Sequence, residues 1–407
     1  MTSFVKPLSK QVKILLFVVL MAVAFRSLGI SIVDMGLPSY VLSLAGSLTS
    51  YGIIIGIFSI TQSIFQFPYA FASDRFGRRK IVFIGIAIYI IGTFLCFFAQ
   101  DIFQLIIYRA IQGIGAFTSI LQAIIGDVFE KDQHGKGMGY YSLAMNIGYF
   151  GGIFIGGYIS SYLGFRHIFS ISGILITIIA IFLLIALKEK DNPNIMNSNY
   201  SNYKEQKISF NFRNIKILFE NNQFKFCVML NCVRWFLFGG IVVYLIWVLQ
   251  VQFLINEIQT SYILIVIVAL YVLFVFYSSR VIDKQGPRKI MIIGQSIVVI
   301  FGIPFFIDIL IYNLTIFVVL CAIIGIGIAL FDPAGNALLL EVIEDINPKL
   351  KGSGIGFNNA IGFFFGALAP MIFSFIGEIH IMAPFYLIIA LMALSAIITY
   401  NYVDRHY

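Results

Sequence analysis

The sequence predicts an all-α membrane protein of twelve transmembrane helices, and three observations carry that prediction. Of its 407 residues 60% are hydrophobic and only 11% are charged. With a mean hydropathy of +0.95, it has too little charge to coat a water-soluble surface. Apolar runs long enough to cross a bilayer, roughly 20 residues each, recur from one end of the chain to the other. The lysines and arginines between these runs fall on alternate connections, as their bias toward cytoplasmic loops requires.

Taken in order, the first run follows Lys6, Lys10 and Lys13 and continues past Val33. It is longer than a signal-peptide core and lacks a small-residue cleavage site, so it reads as an uncleaved helix over 13–40. Five further spans are expected over 50–72, 80–99, 103–126, 137–162 and 166–187. The stretch 188–222 is the one long polar segment, rich in Asn, Lys and Ser. It reads as a cytoplasmic linker with room for a surface helix. A second set of spans follows over 224–252, 259–281, 289–308, 314–340, 352–376 and 381–402. The chain is thereby expected to form an N-terminal six-helix bundle over 1–187 and a C-terminal one over 223–407.

Basic residues test this layout. With the N-terminus in the cytoplasm, the inner connections hold Arg75, Arg78, Arg79, Lys80, Lys131, Lys136, the lysines of the linker, Arg280, Lys284, Arg288, Lys289, Lys349, Lys351 and Arg405. Left over are Arg26, Arg109 and Arg234, inside spans, and Arg166 at an outer connection. A miscounted span would have scattered positive charge to both sides. The sequence thus predicts a multi-pass protein of the plasma membrane with both termini cytoplasmic. The net charge of +8 reports orientation in the bilayer, and no nucleic-acid partner is expected.

Cys96, Cys227, Cys232 and Cys321 all lie in apolar runs and read as packing residues. His134, His167, His380 and His406 have no metal-ligand spacing. No nucleophile stands with a base and no phosphate-binding loop is present, so neither an enzyme, a metal site nor a cofactor is expected. An ion or solute gradient is left as the driving force.

The two halves echo each other. Asp74-Arg75-Phe76-Gly77-Arg78-Arg79-Lys80 joins spans two and three, and Asp283-Lys284-Gln285-Gly286-Pro287-Arg288-Lys289 joins spans eight and nine. Arg26 in span one and Arg234 in span seven keep nearly the same offset. The first of these loops, with Ala70 where a glycine is usual, resembles the major facilitator loop motif G-x-x-x-D-R-x-G-R-[RK]. Arg109-Ala110-Ile111-Gln112-Gly113-Ile114-Gly115 resembles the R-x-x-Q-G-x-G motif of the same superfamily. Gly139, Gly148, Gly152, Gly156 and Gly157 in span five resemble the glycine motif of its twelve-helix drug–proton antiporter branch, with Ile153 where that motif has proline.

The resemblance covers the whole chain and implies two parallel six-helix bundles around a central cavity, with the substrate site near mid-membrane. It implies a gating role for Asp74, Arg75, Gly77 and Arg78, and for Asp283, Gly286 and Arg288, through a latch in which an acid caps a helix. Positive-inside anchoring is the plainer account of the arginines. Asp127 and Glu341 end spans four and ten as candidate charge partners. For Gly148, Gly152, Gly156 and Gly157 the plain reading is close helix packing.

Charges inside spans are costly and mark function. Arg26 lies about 20 Å beyond Lys13 along a helix, near mid-membrane, and Arg234 is expected at similar depth. Asp34 lies two turns further out, and Arg109 about 9 Å in from the outer end of its span. A pair between Asp34 and Arg109 is geometrically open to them, either as a static ion pair or as a switch that couples protons to transport. Asp332, followed by Pro333, is a second protonation candidate, with a water-facing acid at a kink as the alternative. Arg26, Asp34 and Arg234 are the charged candidates for the substrate cavity. Gln62, Gln66, Asn146, Gln250, Asn358 and Asn359 are polar candidates that interhelical hydrogen bonds would explain equally.

The leading expectation is a monomeric secondary transporter that exports small amphipathic or lipophilic compounds in exchange for protons. The alternative is uptake or exchange of a polar, anionic solute held by Arg26 and Arg234. A non-transporting membrane receptor on the same fold is the third.

Overall fold

The computed structural model describes residues 10–129, 134–188, 212–307, 312–347 and 350–403. Among these residues all the long elements are helices. Twelve helices are long and apolar enough to cross a membrane, from Val12–Ser43 to Ala383–Asn401, and they correspond one for one to the expected spans. The chain forms two compact units, Met1–Ala45 with Ile57–Lys207, and Gly46–Gly56 with Ile208–Tyr407.

The first unit is built from α1 (Lys10–Ser43), most of α2 (Leu48–Phe76), α3 (Arg78–Phe97), α4 (Ile102–Ile114), α5 (Thr118–Val128), α6 (His134–Leu163) and α7 (His167–Lys188). Within this unit the fourth span is divided into two helices, α4 and α5. Asp101 opens α4 by accepting from the Gln104 amide at 2.8 Å, the usual service of an N-cap carboxylate. The helix stops at Gly115, where ψ turns to 48°. The amides of Ala116 and Phe117 then bond to the carbonyls of Ile114 and Gly115 at 2.8 and 2.9 Å. This tight turn drops Phe117 against Tyr89 of α3, ring centroids 5.7 Å apart. Val19, Val82, Ile120, Leu121 and Leu183 close the core around these rings.

Two backbones meet along α1 and α6. A Cβ at Gly148 would strike the Ala24 carbonyl, one at Gly152 the Leu28 carbonyl, and one at Gly156 Ile32. Their four-residue spacing places them on one helix face, so α6 packs closely on the α1 backbone, with Ser31 the small side chain at Gly152, as small residues allow in a bilayer. A Cβ at Gly139 would meet nothing within 4 Å, so this glycine stands outside the ladder.

The second unit holds α8 (Phe212–Glu220), α9 (Asn222–Trp247), α10 (Glu257–Gln285), α11 (Pro287–Gly302), α12 (Leu314–Ile346), α13 (Lys351–Ile379) and α14 (Ala383–Val403). Asn221, Asn256 and Asn313 open α9, α10 and α12, each accepting from amides of the first turn. The seventh span ends in a π-helical turn, Val248–Gln252, and the ninth in a 3-10 turn, Ile303–Phe306. Phe305, Phe317 and Phe385 form a stacked and edge-on aromatic cluster, Phe305 and Phe385 with centroids 4.5 Å apart. Asp332 and Pro333 lie inside α12.

Candidate functional site

The first unit buries three charged side chains among its described residues: Arg26, Asp34 and Arg109, exposed to 8, 4 and 1%. Arg26 and Asp34 share α1. Arg109 stands on α4, where the glycines around it set its position. A side chain at Gly92 would run into the Gln112 backbone, and one at Gly115 would lie 2.5 Å from the Tyr89 amide. The R-x-x-Q-G-x-G pattern therefore brings α3 and α4 into backbone contact. Gln112 accepts from Arg109 at 2.7 Å and donates to Thr93 at 2.8 Å. Thr93 in turn donates to the Tyr89 carbonyl at 2.7 Å. The Arg109 guanidinium also lies 4.4 Å from the centre of the Phe58 ring.

Asp34 accepts from the Tyr149 hydroxyl at 3.4 Å. Arg109 is the cation whose charge reaches it, so the two residues are coupled through the field, while the direct hydrogen bond comes from α6. Tyr149 follows Gly148 in the ladder, so the close approach of α6 to α1 is what brings its hydroxyl to the carboxylate. Arg26 lies over Tyr89 and Phe117, at 6.0 and 5.7 Å from their centroids.

The second unit has its own buried cluster. Asn231 and Arg234 lie one turn apart on one face of α9. Arg234 forms an ion pair with Asp332 at 3.0 Å and donates to Asn231 at 2.5 Å. Asn231 passes the network to the Asn358 carbonyl at 2.5 Å, and Tyr271 donates to Asp332 at 3.2 Å. Leu230, Asn231, Arg234, Phe331, Gly335, Asn336 and Asn358 line a small pocket beside this network. Arg234 also lies 5.7 Å from the Trp235 ring centre.

At the loop after α2, Gly77 has φ of 94°, and at the matching loop Gly286 has φ of 78°, a region where other residues are strained. Each of these glycines immediately precedes a helix, α3 or α11. Arg78 pairs with Asp127, the end of the fourth span, with a further hydrogen bond at 3.1 Å. Arg288 lines a pocket with Gln223, Cys227 and Thr399, and its charge reaches Glu341. Arg75 sits over Phe76, and Asp283 is exposed. The side chain of Asp74 lies outside the described residues.

Sequence reasoning singled out Arg26, Arg109, Gln112, Asp34, Arg234 and Asp332 but not Tyr149, Tyr271, Tyr89 and Asn231, which the structure brings against them. Their only signal is helical spacing to a charged residue or a glycine, which an aromatic-rich apolar run offers at many positions.

The family model of the Major Facilitator Superfamily matches residues 19–268 and 226–407. An uncharacterized transporter of Buchnera aphidicola is 34% identical over 197 residues, 47% of this chain and 49% of that one. Against this relative and others like it the chain spans less than half of the relative's length. An uncharacterized MFS-type transporter of Methanocaldococcus jannaschii is 26% identical over 400 residues, covering 96% of this chain and 98% of that one. The solved structure of a bacterial homolog of the human lysosomal transporter Spinster shares the fold, with a TM-score of 0.74 over 96% of both chains at 15% identity.

Proposed function

The chain belongs to the Major Facilitator Superfamily, and from that premise we propose a proton-coupled secondary transporter that exports small amphipathic compounds by alternating access. Membership makes it a multi-pass membrane transporter of small molecules and not an enzyme. The observation that carries proton coupling is Asp34, a carboxylate 4% exposed in a membrane span, held by Tyr149 and within the field of Arg109. Ionisable residues inside membrane spans mark ion pathways and proton relays, and Asp34 is the buried acid among the described residues of the first unit.

The export direction is supported by the resemblance of span five to the glycine motif of drug–proton antiporters. The working unit in this reading is a monomer of two halves, 1–187 and 223–407, joined by a cytoplasmic linker over 188–222 and set in the plasma membrane with both termini inside. Arg75, Gly77, Arg78, Asp283, Gly286 and Arg288 act with Asp74 as its gating loops.

The test is movement of a panel of fluorescent compounds of each charge class in proteoliposomes under an imposed pH gradient. The reading expects that gradient to drive at least one compound and expects Asp34→Asn to lose the drive. Movement indifferent to the gradient for every compound would overturn proton coupling.

A further inference from the structure

We propose that the first unit holds an anion site centred on Arg26 and Tyr89, and that the transported molecule carries a single carboxylate or comparable monoanion on an apolar body. This rests on the reading of the chain as a transporter and names the class of its substrate.

Charge arithmetic is the first support. Among the described residues of the first unit the buried charged side chains are two arginines, Arg26 and Arg109, and one acid, Asp34, which leaves one positive charge in excess. The centre of the Tyr89 ring lies 6.0 Å from the Arg26 guanidinium, and the charges of Arg109 and Asp34 also reach this tyrosine. In the second unit Arg234 has its acid, Asp332, at 3.0 Å. Among the described residues Arg234 thus has a carboxylate partner, whereas Arg26 forms no ion pair.

Hydrogen bonding is the second support. No carboxylate among the described residues forms an ion pair with Arg26. Its Nε and the hydroxyl of Tyr89 are both buried and have no hydrogen-bond partner among the described residues. An N–H and an O–H left unused in one cluster call for an acceptor. A guanidinium in hydrocarbon calls for a negative one. The rings of Tyr89 and Phe117 offset part of that charge by cation–π attraction, but a ring quadrupole is not a counter-ion.

The surroundings define the rest of the ligand. Tyr89 packs edge-on against Phe58 and Phe117, at 6.4 and 5.7 Å between centroids. Tyr141 also lies within the field of Arg26. The neighbours of Arg26 are therefore aromatic and apolar, and the body attached to an anion held there meets apolar surroundings. One negative charge brings the buried sum to zero, two would reverse it, and a cation would add to the excess.

The experiment is thermal unfolding of the purified full-length protein at fixed ionic strength, titrated with benzoate, benzamide, benzylamine and sulfate. Benzoate is expected to raise the melting temperature saturably, as a ligand of the folded state does, while its neutral and cationic analogues and the divalent sulfate do not. Arg26→Gln is expected to weaken the benzoate effect tenfold or more. Tyr89→Phe, which keeps the ring and removes only the hydroxyl, is expected to weaken it several-fold with the unliganded melting temperature little changed. That second variant keeps the test decisive if Arg26→Gln does not fold. Equal stabilisation by benzamide, no saturable response to benzoate, or a benzoate response unchanged in Tyr89→Phe would each overturn the site. Proton-driven movement in proteoliposomes of compounds without an acidic group would leave the transporter reading intact and overturn this inference alone.

Discussion

Arg234 lies 3.0 Å from Asp332 across α9 and α12, and the acid is also held by Tyr271. Side-chain exposure is 9% for the arginine and 30% for the aspartate, so the pair is sealed on its cationic side and open on its anionic side. Breaking it by removing the acid leaves the arginine buried with Asn231 as its remaining side-chain hydrogen-bond partner among the contacts described above. Asp332→Asn is expected to destabilise the protein by about 1–3 kcal/mol, below the full cost for a sealed pair because Asp332 meets solvent. Replacing both residues by apolar ones of similar size is expected to recover most of the loss. A double-mutant cycle on thermal unfolding in detergent checks this, and additive single effects would mean that the pair contributes no coupling.

The glycine ladder makes a second, sharper prediction. Gly152→Val puts a side chain onto the Leu28 carbonyl of α1, and overpacking of this kind costs about 1–3 kcal/mol. Gly139→Ala, where a Cβ meets nothing, is expected to be neutral or to gain up to about 1 kcal/mol from helix propensity. Melting temperatures of the two variants should move in opposite directions or differ by several degrees.

These cases show what could be read from the sequence. The twelve spans were legible because each must hide its backbone polar groups in hydrocarbon, and only a long apolar run does so. The break at Gly115 to Phe117 was not legible, because an apolar run keeps its hydropathy whether or not the helix turns. Arg109 and Gln112 were visible as a motif. The partner of Asp34 was not, since Tyr149 meets it only through the packing of α6 on α1, and depth along two helices does not fix which faces meet. Depth alone admitted Arg109 as a partner. The structure places the Arg109 charge within range of Asp34 but gives the acid's hydrogen bond to Tyr149.

At the loop after α2, the gating reading separates stability from rate. The Arg78–Asp127 pair has side-chain exposures of 13 and 42%, so its contribution to stability is expected to be small, about 0–1 kcal/mol. Arg78→Gln should therefore barely change the melting temperature yet slow transport, with substrate binding retained. Loss of binding at unchanged transport rate in saturating substrate would remove the loop from gating. Gly77→Ala, forced to φ of 94°, is expected to destabilise by about 1 kcal/mol, and Gly286→Ala by a similar amount.

Orientation in the membrane is open to direct labelling. The native cysteines are free, with Cys96, Cys227 and Cys321 buried and Cys232 partly so. A cysteine introduced at Ser198, in the linker, should react with a membrane-impermeant maleimide in inside-out vesicles and not in intact cells. Labelling from outside intact cells would reverse the proposed topology.

The last prediction concerns how a proton is coupled to movement. Asp34 is nearly sealed, touches Tyr149, and feels the charge of Arg109. Asp34→Asn keeps the shape and imitates the protonated acid, so it separates charge from packing. If Asp34 carries the proton, the variant should lose movement driven by a pH gradient yet still exchange substrate down its own gradient. Arg109 retains Gln112 and the Phe58 ring, so the stability cost is expected to stay within about 1–3 kcal/mol. Tyr149→Phe removes one long hydrogen bond, worth about 0.5–1.5 kcal/mol, and leaves the acid able to ionise. Proton drive should then persist, with its pH profile displaced. Gradient-driven uptake, counterflow and melting temperature measured on the same preparations distinguish the cases. Normal proton drive in Asp34→Asn would eliminate the switch, whereas loss of both drive and exchange with a collapsed melting temperature would make Asp34 a purely structural acid.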